Sequence, residues 1–318
     1  MHKISEQAKQ LRQLWGGFQS SRVLLTANNF RVFDYLEKYQ SSGSLAKTLH
    51  TDDRATEILL DALTGVGLLI KRKNKYRNSA TASYFLVSGS PHYQGDIIRH
   101  VDSLWDNWSG LDSVLKTGLP NRRSRKHTDF IRGMHNLAVL KAKKIIRTIN
   151  IKGVKTALDL GGGPGTYAME MAGQGVHVVL FDVPDTMKIA KGLIREKGIK
   201  NIDVVPGDFI NDDIGGGYDL VFISQILHSY SPADNMKILR KCRKALNKDG
   251  RIVVQEFFIE EDRTQPSHSA LFSVNMLVNN KGGRCYSPVE ISQWLLKAGF
   301  RRPAKKMVSD GVLVMAVK

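Results

Sequence analysis

The chain has 318 residues, 42% of them apolar and 24% charged, and carries a net charge of +17. That length suits two domains and that balance argues against extended disorder. Cys242 and Cys285 are the only cysteines, too few for a disulfide framework or a four-ligand zinc site, which points to a reducing compartment. The start Met1-His2-Lys3-Ile4-Ser5 lacks a signal-peptide core, and no apolar run approaches the roughly 18 residues of a membrane helix, so a cytoplasmic setting without a bound metal is expected.

Residues 1–92 read as short helices ending in a hairpin. Leu11, Leu14, Trp15 and Phe18 sit at helical spacing, as do Val23, Leu24 and Ala27. Thr51 before Asp52 and Asp53 predicts a helix start capped by the hydroxyl, with Ala55, Ile58, Leu59, Ala62 and Leu63 as its buried face. The run Leu68-Leu69-Ile70, a polar turn at Lys73-Asn74 and a short strand around Tyr76 complete a winged-helix-like, mainly α domain. Residues 93–150 read as a connector of long helices broken at Gly118-Leu119-Pro120.

Residues 151–318 alternate short apolar strands with helices, the strands being Thr156–Leu160, Val176–Phe181, Ile202–Val205, Tyr218–Ile223 and Arg251–Gln255. This predicts a parallel α/β sheet covered on both faces. Ser231 as cap and Pro232 at the first helical position open a helix whose Ile238, Leu239, Cys242, Ala245 and Leu246 face the sheet. Near the end, Asp310-Gly311 between two strand-like runs predicts a hairpin, so the last strand is expected antiparallel to the one before it.

Leu158-Asp159-Leu160-Gly161-Gly162-Gly163-Pro164-Gly165 leaves a strand and enters a helix, a bare loop that backbone can bring close to a ligand. It lacks the Gly-Lys-Ser/Thr of a phosphate loop, and Thr166 stands where a dinucleotide fingerprint has its third glycine. Asp182 ends the second strand about 20 residues on, where a carboxylate can accept from both ribose hydroxyls. Asp208 and Phe209 follow the third strand, one able to accept from an adenine amino group and the other to pack on the ring; a solvated turn is the alternative for Asp208. Asp159, Gly161, Gly163, Val183 and Ser224 complete the expected cofactor site.

The segments Ser21-Arg22-Val23-Leu24-Leu25-Thr26-Ala27, the glycine loop, Phe181-Asp182-Val183-Pro184, Gly207-Asp208-Phe209, Leu227-His228 and Gly282-Gly283-Arg284 span most of the chain. Together they resemble the bacterial branch of the O-methyltransferase family that includes hydroxyindole and caffeate-type enzymes. The resemblance implies a class I methyltransferase Rossmann-like fold, S-adenosylmethionine as cofactor, S-adenosylhomocysteine as product, and an amino-terminal domain that forms a homodimer, contributes to the partner's substrate pocket and does not bind DNA. It also implies His228 as the base and Glu256 as its acidic partner. A phenol of pKa about 10 needs a base, and histidine, about 6.5 when free, can take its proton.

Two positions depart from the family: Ser229 and Tyr230 replace its Asp and Trp, and Cys285 stands where a second glutamate is expected. Cys285 reads better as a small apolar wall than as a nucleophile. Trp105, Trp108, Phe130, Met134, Phe272, Asn275, Met276 and Asn279 are the expected acceptor lining, with plain core as the alternative for half of the set, and the remainder points to a flat, largely apolar small molecule. Methylation of carbon on a tetrapyrrole-like ring is the alternative within the family. Outside it stand an RNA methyltransferase or a wing-bearing nucleic-acid binder, supported by the charge, and a dehydrogenase. The cations, however, fall in separate groups without interleaved aromatics: Lys71-Arg72-Lys73 with Lys75 and Arg77, Arg122-Arg123 with Arg125-Lys126, Lys141 with Lys143-Lys144, Arg243-Lys244, and Arg301-Arg302 with Lys305-Lys306. That pattern suits a solvated surface.

Overall fold

In the computed structural model of the protein, which describes residues 2–123, 126–309 and 311–318, the chain separates into two compact units, Met1–Asp102 and Ser103–Lys318. The division falls inside the expected connector. The helix that begins at Gly95 goes with the first unit and the helices after Leu104 with the second.

The first unit contains α1 (His2–Asn29), β1 (Gln40–Ser41), α2 (Ser42–Leu49), α3 (Asp53–Gly65), β2 (Leu69–Arg72), β3 (Lys75–Asn78), α4 (Ala80–Phe85) and α5 (Gly95–Ser103). The expected helix, helix, hairpin order is present, and β1 adds to β3 as a third antiparallel strand. Lys73 and Asn74 turn the hairpin with φ of 47° and 57°, the left-handed pair that a tight two-residue turn requires. Phe33, Leu36, Leu45, Leu60, Leu63 and Tyr76 form the core. At the surface beside it, Asp61 accepts at 2.7 Å from both Lys71 Nζ and Tyr76 Oη, which holds its carboxyl below the usual range.

Two expectations for α3 are corrected. Its cap is Asp52, whose side chain accepts from the Ala55 amide; the Thr51 hydroxyl instead meets that of Thr56 at 2.7 Å. Its buried face is Thr56, Leu60 and Leu63, with Ala55 and Ile58 outside. The helix has two apolar stripes, and neighbours at hand decide which one turns inward. On α1 only the final turns are covered: Leu25 and Ala27 are buried, while Leu11, Leu14, Trp15 and Phe18 are all more than half exposed.

The second unit opens with α6 (Trp105–Ser109), α7 (Leu111–Thr117), α8 (His127–Val139) and α9 (Ala142–Ile149). These are shorter than the long helices expected. Gly110 and Gly118 end two of them, Gly118 with a φ of +68°, and a turn at Leu140-Lys141 separates α8 from α9. Arg125 lies outside the described residues.

The sheet follows as β4 (Thr156–Leu160), α10 (Thr166–Ala172), β5 (His177–Asp182), α11 (Pro184–Glu196), β6 (Ile202–Pro206), β7 (Tyr218–Ser224), α12 (Pro232–Ala245), β8 (Leu246–Phe257), α13 (Ser267–Asn279), α14 (Pro288–Lys297), β9 (Arg301–Val308) and β10 (Gly311–Val317). Its order is β6-β5-β4-β7-β8-β10-β9. The strands from β6 to β8 run parallel, and β10 lies antiparallel to both β8 and β9. The expected closing hairpin is therefore present, with Gly311 opposite Val308; Asp310 lies outside the described residues.

Side-chain alternation explains the two apolar layers. Leu220 and Phe222 of β7 join α9, α10 and α11 on one face, whereas Val221 and Ile223 join α12 and α14 on the other. Ser231 and Pro232 begin α12 as expected, and Cys242 is buried on its sheet face. At α14, Ser287 accepts from the Glu290 amide while Glu290 accepts from the Ser287 amide, a reciprocal cap on a helix with Ile291 and Leu295 fully buried. Ser287→Ala therefore lowers stability by about 1 kcal/mol, measured by urea denaturation; an unchanged midpoint counts against the cap.

Candidate active site

The parallel strands all end at one edge, so the turns that follow them gather there. After β4, Gly161 has a φ of +67°, and a Cβ at that residue would lie 2.5 Å from Ile226 and 3.3 Å from Phe209. Only glycine lets the turns after β6 and β7 close on the loop this tightly. Gly163, at a φ of +55°, faces open space, and its amide donates to Asp182 Oδ2 at 2.9 Å. Asp182 Oδ1 accepts from the Val183 amide at 2.7 Å. The glycine loop and the end of β5 are thus tied through one carboxylate.

Asp159 is wholly buried on β4; Oδ2 accepts from the Ala168 amide at 3.1 Å, and among the described residues Oδ1 has no partner. Burial, reinforced by the nearby charge of Asp182, pushes the Asp159 carboxyl up to about 7. Burial also raises Asp182, against the two amides that donate to it. An orphaned acidic oxygen beneath a bare loop, with a second carboxylate at its rim, fits a ligand that brings a cationic group and hydroxyl donors.

The remaining expected cofactor residues differ in their freedom. Phe209 is buried, edge-on to Tyr230 with centroids 5.7 Å apart. Asp208 is exposed and accepts from the Ile210 amide and Asn211 Nδ2, so its side chain closes a turn. Val183 is exposed, and Ser224 Oγ donates to Gln255 Oε1 at 3.1 Å.

Beside this crevice, the turn Leu227–Ser229 presents His228 two residues after Ile226. His228 is buried, its Nδ1 is 2.7 Å from Glu256 Oε2, and its own amide donates to Glu256 Oε1 at 3.3 Å. A carboxylate on Nδ1 holds the proton there and leaves Nε2 with its lone pair. Phe272 meets the ring edge-on at 5.0 Å, and Phe257 lies 5.8 Å from it. Gly283 supports the turn from behind, because a Cβ there would lie 2.2 Å from the His228 carbonyl.

Cys285 is buried, its amide donates to Ser273 Oγ at 3.1 Å, and burial together with the charge of Glu256 pushes its thiol up to about 11. A protonated thiol thus stands near the carboxylate, in keeping with a wall residue. On α13, Asn275 Oδ1 accepts from Trp108 Nε1 at 3.1 Å and Asn279 Oδ1 from Asn107 Nδ2 at 2.6 Å. Those carboxamides bind α6 to α13, and Met276 is buried beside them, its sulfur 3.2 Å from Asn280 Nδ2. Trp105 on α6, and Phe130 and Met134 on α8, are half-buried. The structure thus joins His228, Glu256, Phe272 and Cys285 in one cluster, while α8 packs on α10 and α11 beside the glycine loop. The sequence reading missed Ile226, Phe257 and Ser273; of these only Phe257, next to Glu256, carried a signal.

The sequence pattern of the O-methyltransferase domain matches residues 95–301, and that of the O-methyltransferase dimerisation domain matches residues 12–88. The chain belongs to the O-methyltransferase family. It is an S-adenosylmethionine-dependent O-methyltransferase. The 3-hydroxy-5-methyl-1-naphthoate 3-O-methyltransferase of Streptomyces sahachiroi is 30% identical to it over 91% of this chain and 88% of that one. The acetylserotonin O-methyltransferase of Gallus gallus is 28% identical over 91% of each. A solved structure of PigF with SAH, at 27% identity, matches 98% of this chain and 99% of its own with a TM-score of 0.89. Among the described residues of this O-methyltransferase, no helix is long and apolar enough to cross a membrane.

Burial of Asp159 has a consequence for stability. The folded chain keeps this proton up to about 7, whereas the unfolded chain releases it near pH 4. The folded state therefore binds more protons within that window, and stability falls as pH rises through it. In ligand-free protein, Asp159→Asn reduces the decline in Tm between about pH 5 and pH 7. Calorimetric scans with equal slopes for both proteins would overturn this.

Proposed function

We propose that this enzyme methylates a hydroxyl of a small, flat, conjugated acceptor, with His228 as general base and Glu256 as its orienting partner. The observation that carries the reading is the 2.7 Å contact between His228 Nδ1 and Glu256, in a turn whose Ile226 leans on Gly161. S-adenosylmethionine, when bound, supplies a methyl group on a sulfonium leaving group. Asp182 would accept from the ribose hydroxyls, Phe209 would flank the adenine, and the Gly161 to Gly163 backbone would hold the ligand. Phe272 and Phe257 hold the imidazole plane, and His228 Nε2 would take the proton of the acceptor's hydroxyl, leaving its electron pair on the oxygen. With a thiol at Cys285 and one carboxylate at Glu256, the histidine is oriented from one side. That arrangement suits an acidic, phenol-like hydroxyl, for which alignment supplies much of the rate. The names of the naphthoate and acetylserotonin relatives agree with an aromatic acceptor.

His228→Gln is expected to lower kcat by roughly 10²–10⁴-fold while S-adenosylhomocysteine affinity stays near wild type; Asp182→Ala does the reverse, weakening the cofactor first. Calorimetric titrations and turnover of a phenolic acceptor separate the two. Full turnover by His228→Gln on the acidic side of neutrality would remove the base assignment and leave methyl transfer standing.

We further propose a homodimer built on residues 12–88, because Leu14, Trp15 and Phe18 expose one apolar face of α1 within a dimerisation-type domain. Light scattering is expected to return twice the chain mass, and Trp15→Asp to shift it toward the single chain. A wild-type mass equal to one chain at all concentrations refutes the dimer.

A further inference from the structure

The helix α8 carries two histidines outside the expected site, and each meets a threonine at a cofactor turn. His135 Nδ1 and Thr166 Oγ1 share a hydrogen bond of 2.7 Å, and His127 Nε2 and Thr186 Oγ1 one of 3.0 Å. Thr166 opens α10 directly after the glycine loop, and Thr186 lies in the first turn of α11, four residues after Asp182. Both threonines are buried, at 6% and 1% exposure. A buried hydroxyl needs a partner, so these bonds fix the register of α8 more firmly than apolar sliding contacts would. Eight residues of helix span about 12 Å, which lets one element reach both turns at once. At the Asp182 end the Thr186 hydroxyl and the His127 ring both oppose the effect of burial on the carboxyl.

We propose that α8 is a strap across the ends of β4 and β5, with His127 and His135 as positioning residues that hold Asp182 and the glycine loop at the spacing S-adenosylmethionine requires. This rests on the cofactor assignment above. Phe130 and Met134 lie between the two histidines on the same helix, so a shift of the acceptor wall moves both cofactor turns with it. The expected acceptor wall and both cofactor turns thereby share one helix.

The probe is S-adenosylhomocysteine, titrated into the full chain by calorimetry. His127→Ala and His135→Ala each weaken binding about tenfold. Asparagine at 135 places a polar atom where Nδ1 was, and glutamine at 127 reaches the place of Nε2, so His135→Asn and His127→Gln retain most of the affinity. Thr166→Val reproduces the effect of His135→Ala, and the double variant adds nothing further. Leu295→Ala, a packing change in α14, lowers the unfolding midpoint and leaves the Kd alone. If the alanine variants bind like wild type, or the Thr166 and His135 effects simply add, the strap is wrong. If an alanine variant does not fold, the asparagine, glutamine and valine variants decide by the same criteria. Failure of the wild-type chain to bind S-adenosylhomocysteine would instead overturn the cofactor assignment itself.

Discussion

At Gly161 a methyl group would collide with Ile226 and crowd Phe209, and the rest of the site follows from that lack of space. A side chain there would push the turns after β6 and β7 outward, taking with them the aromatic wall of the crevice and the short turn that holds His228. The loop is bare for two reasons at once. Its backbone must adopt left-handed conformations at Gly161, Gly163 and Gly165, and it must leave room for neighbours on one side and a ligand on the other. Gly283 applies the same logic behind the histidine, where its missing Cβ lets the chain lie against the His228 carbonyl.

Electrostatics at the crevice run against burial. Asp159 and Asp182 are both raised by desolvation, and Asp159 keeps an oxygen without a partner among the described residues. Such groups cost stability in the free protein and are tolerated where function uses them. The contrast with Asp61 in the first unit is instructive, since a lysine and a tyrosine pair with that carboxylate and hold it low. His228 and Glu256 follow yet another pattern: each is buried, and each satisfies the other. That pairing gives the imidazole one orientation and leaves one nitrogen for chemistry.

The charge of +17 finds no single focus in these contacts. Lys71 is paired with Asp61 on the hairpin, Lys241 donates to the Phe209, Ile210 and Asp212 carbonyls and so braces the turn after β6, and Arg243 Nε caps the Gly299 carbonyl. Several cations thus serve local structure.

The strands were legible because short apolar runs bounded by glycine and polar turns, alternating with helical segments, have few other ways to be buried, and Thr156–Leu160 was placed to the residue. The glycine loop, Asp182 and the Ser231-Pro232 helix start were legible for the same reason: each is a local rule about backbone conformation. The buried face of α3 was not, because it carries two apolar stripes and only the neighbours packed against it select Thr56, Leu60 and Leu63. Nor could spacing reveal that Asn275 and Asn279 are bound to Trp108 and Asn107, or that His127 and His135 reach Thr186 and Thr166. Sequence by itself determined the family, the sheet and the glycine loop, since these depend on periodicity and on residues close together in the chain. Tertiary structure alone decided that side chains meet across 31 residues at His135 and Thr166 and across 59 at His127 and Thr186, because such contacts depend on how helices seat on a sheet, and periodicity leaves that open.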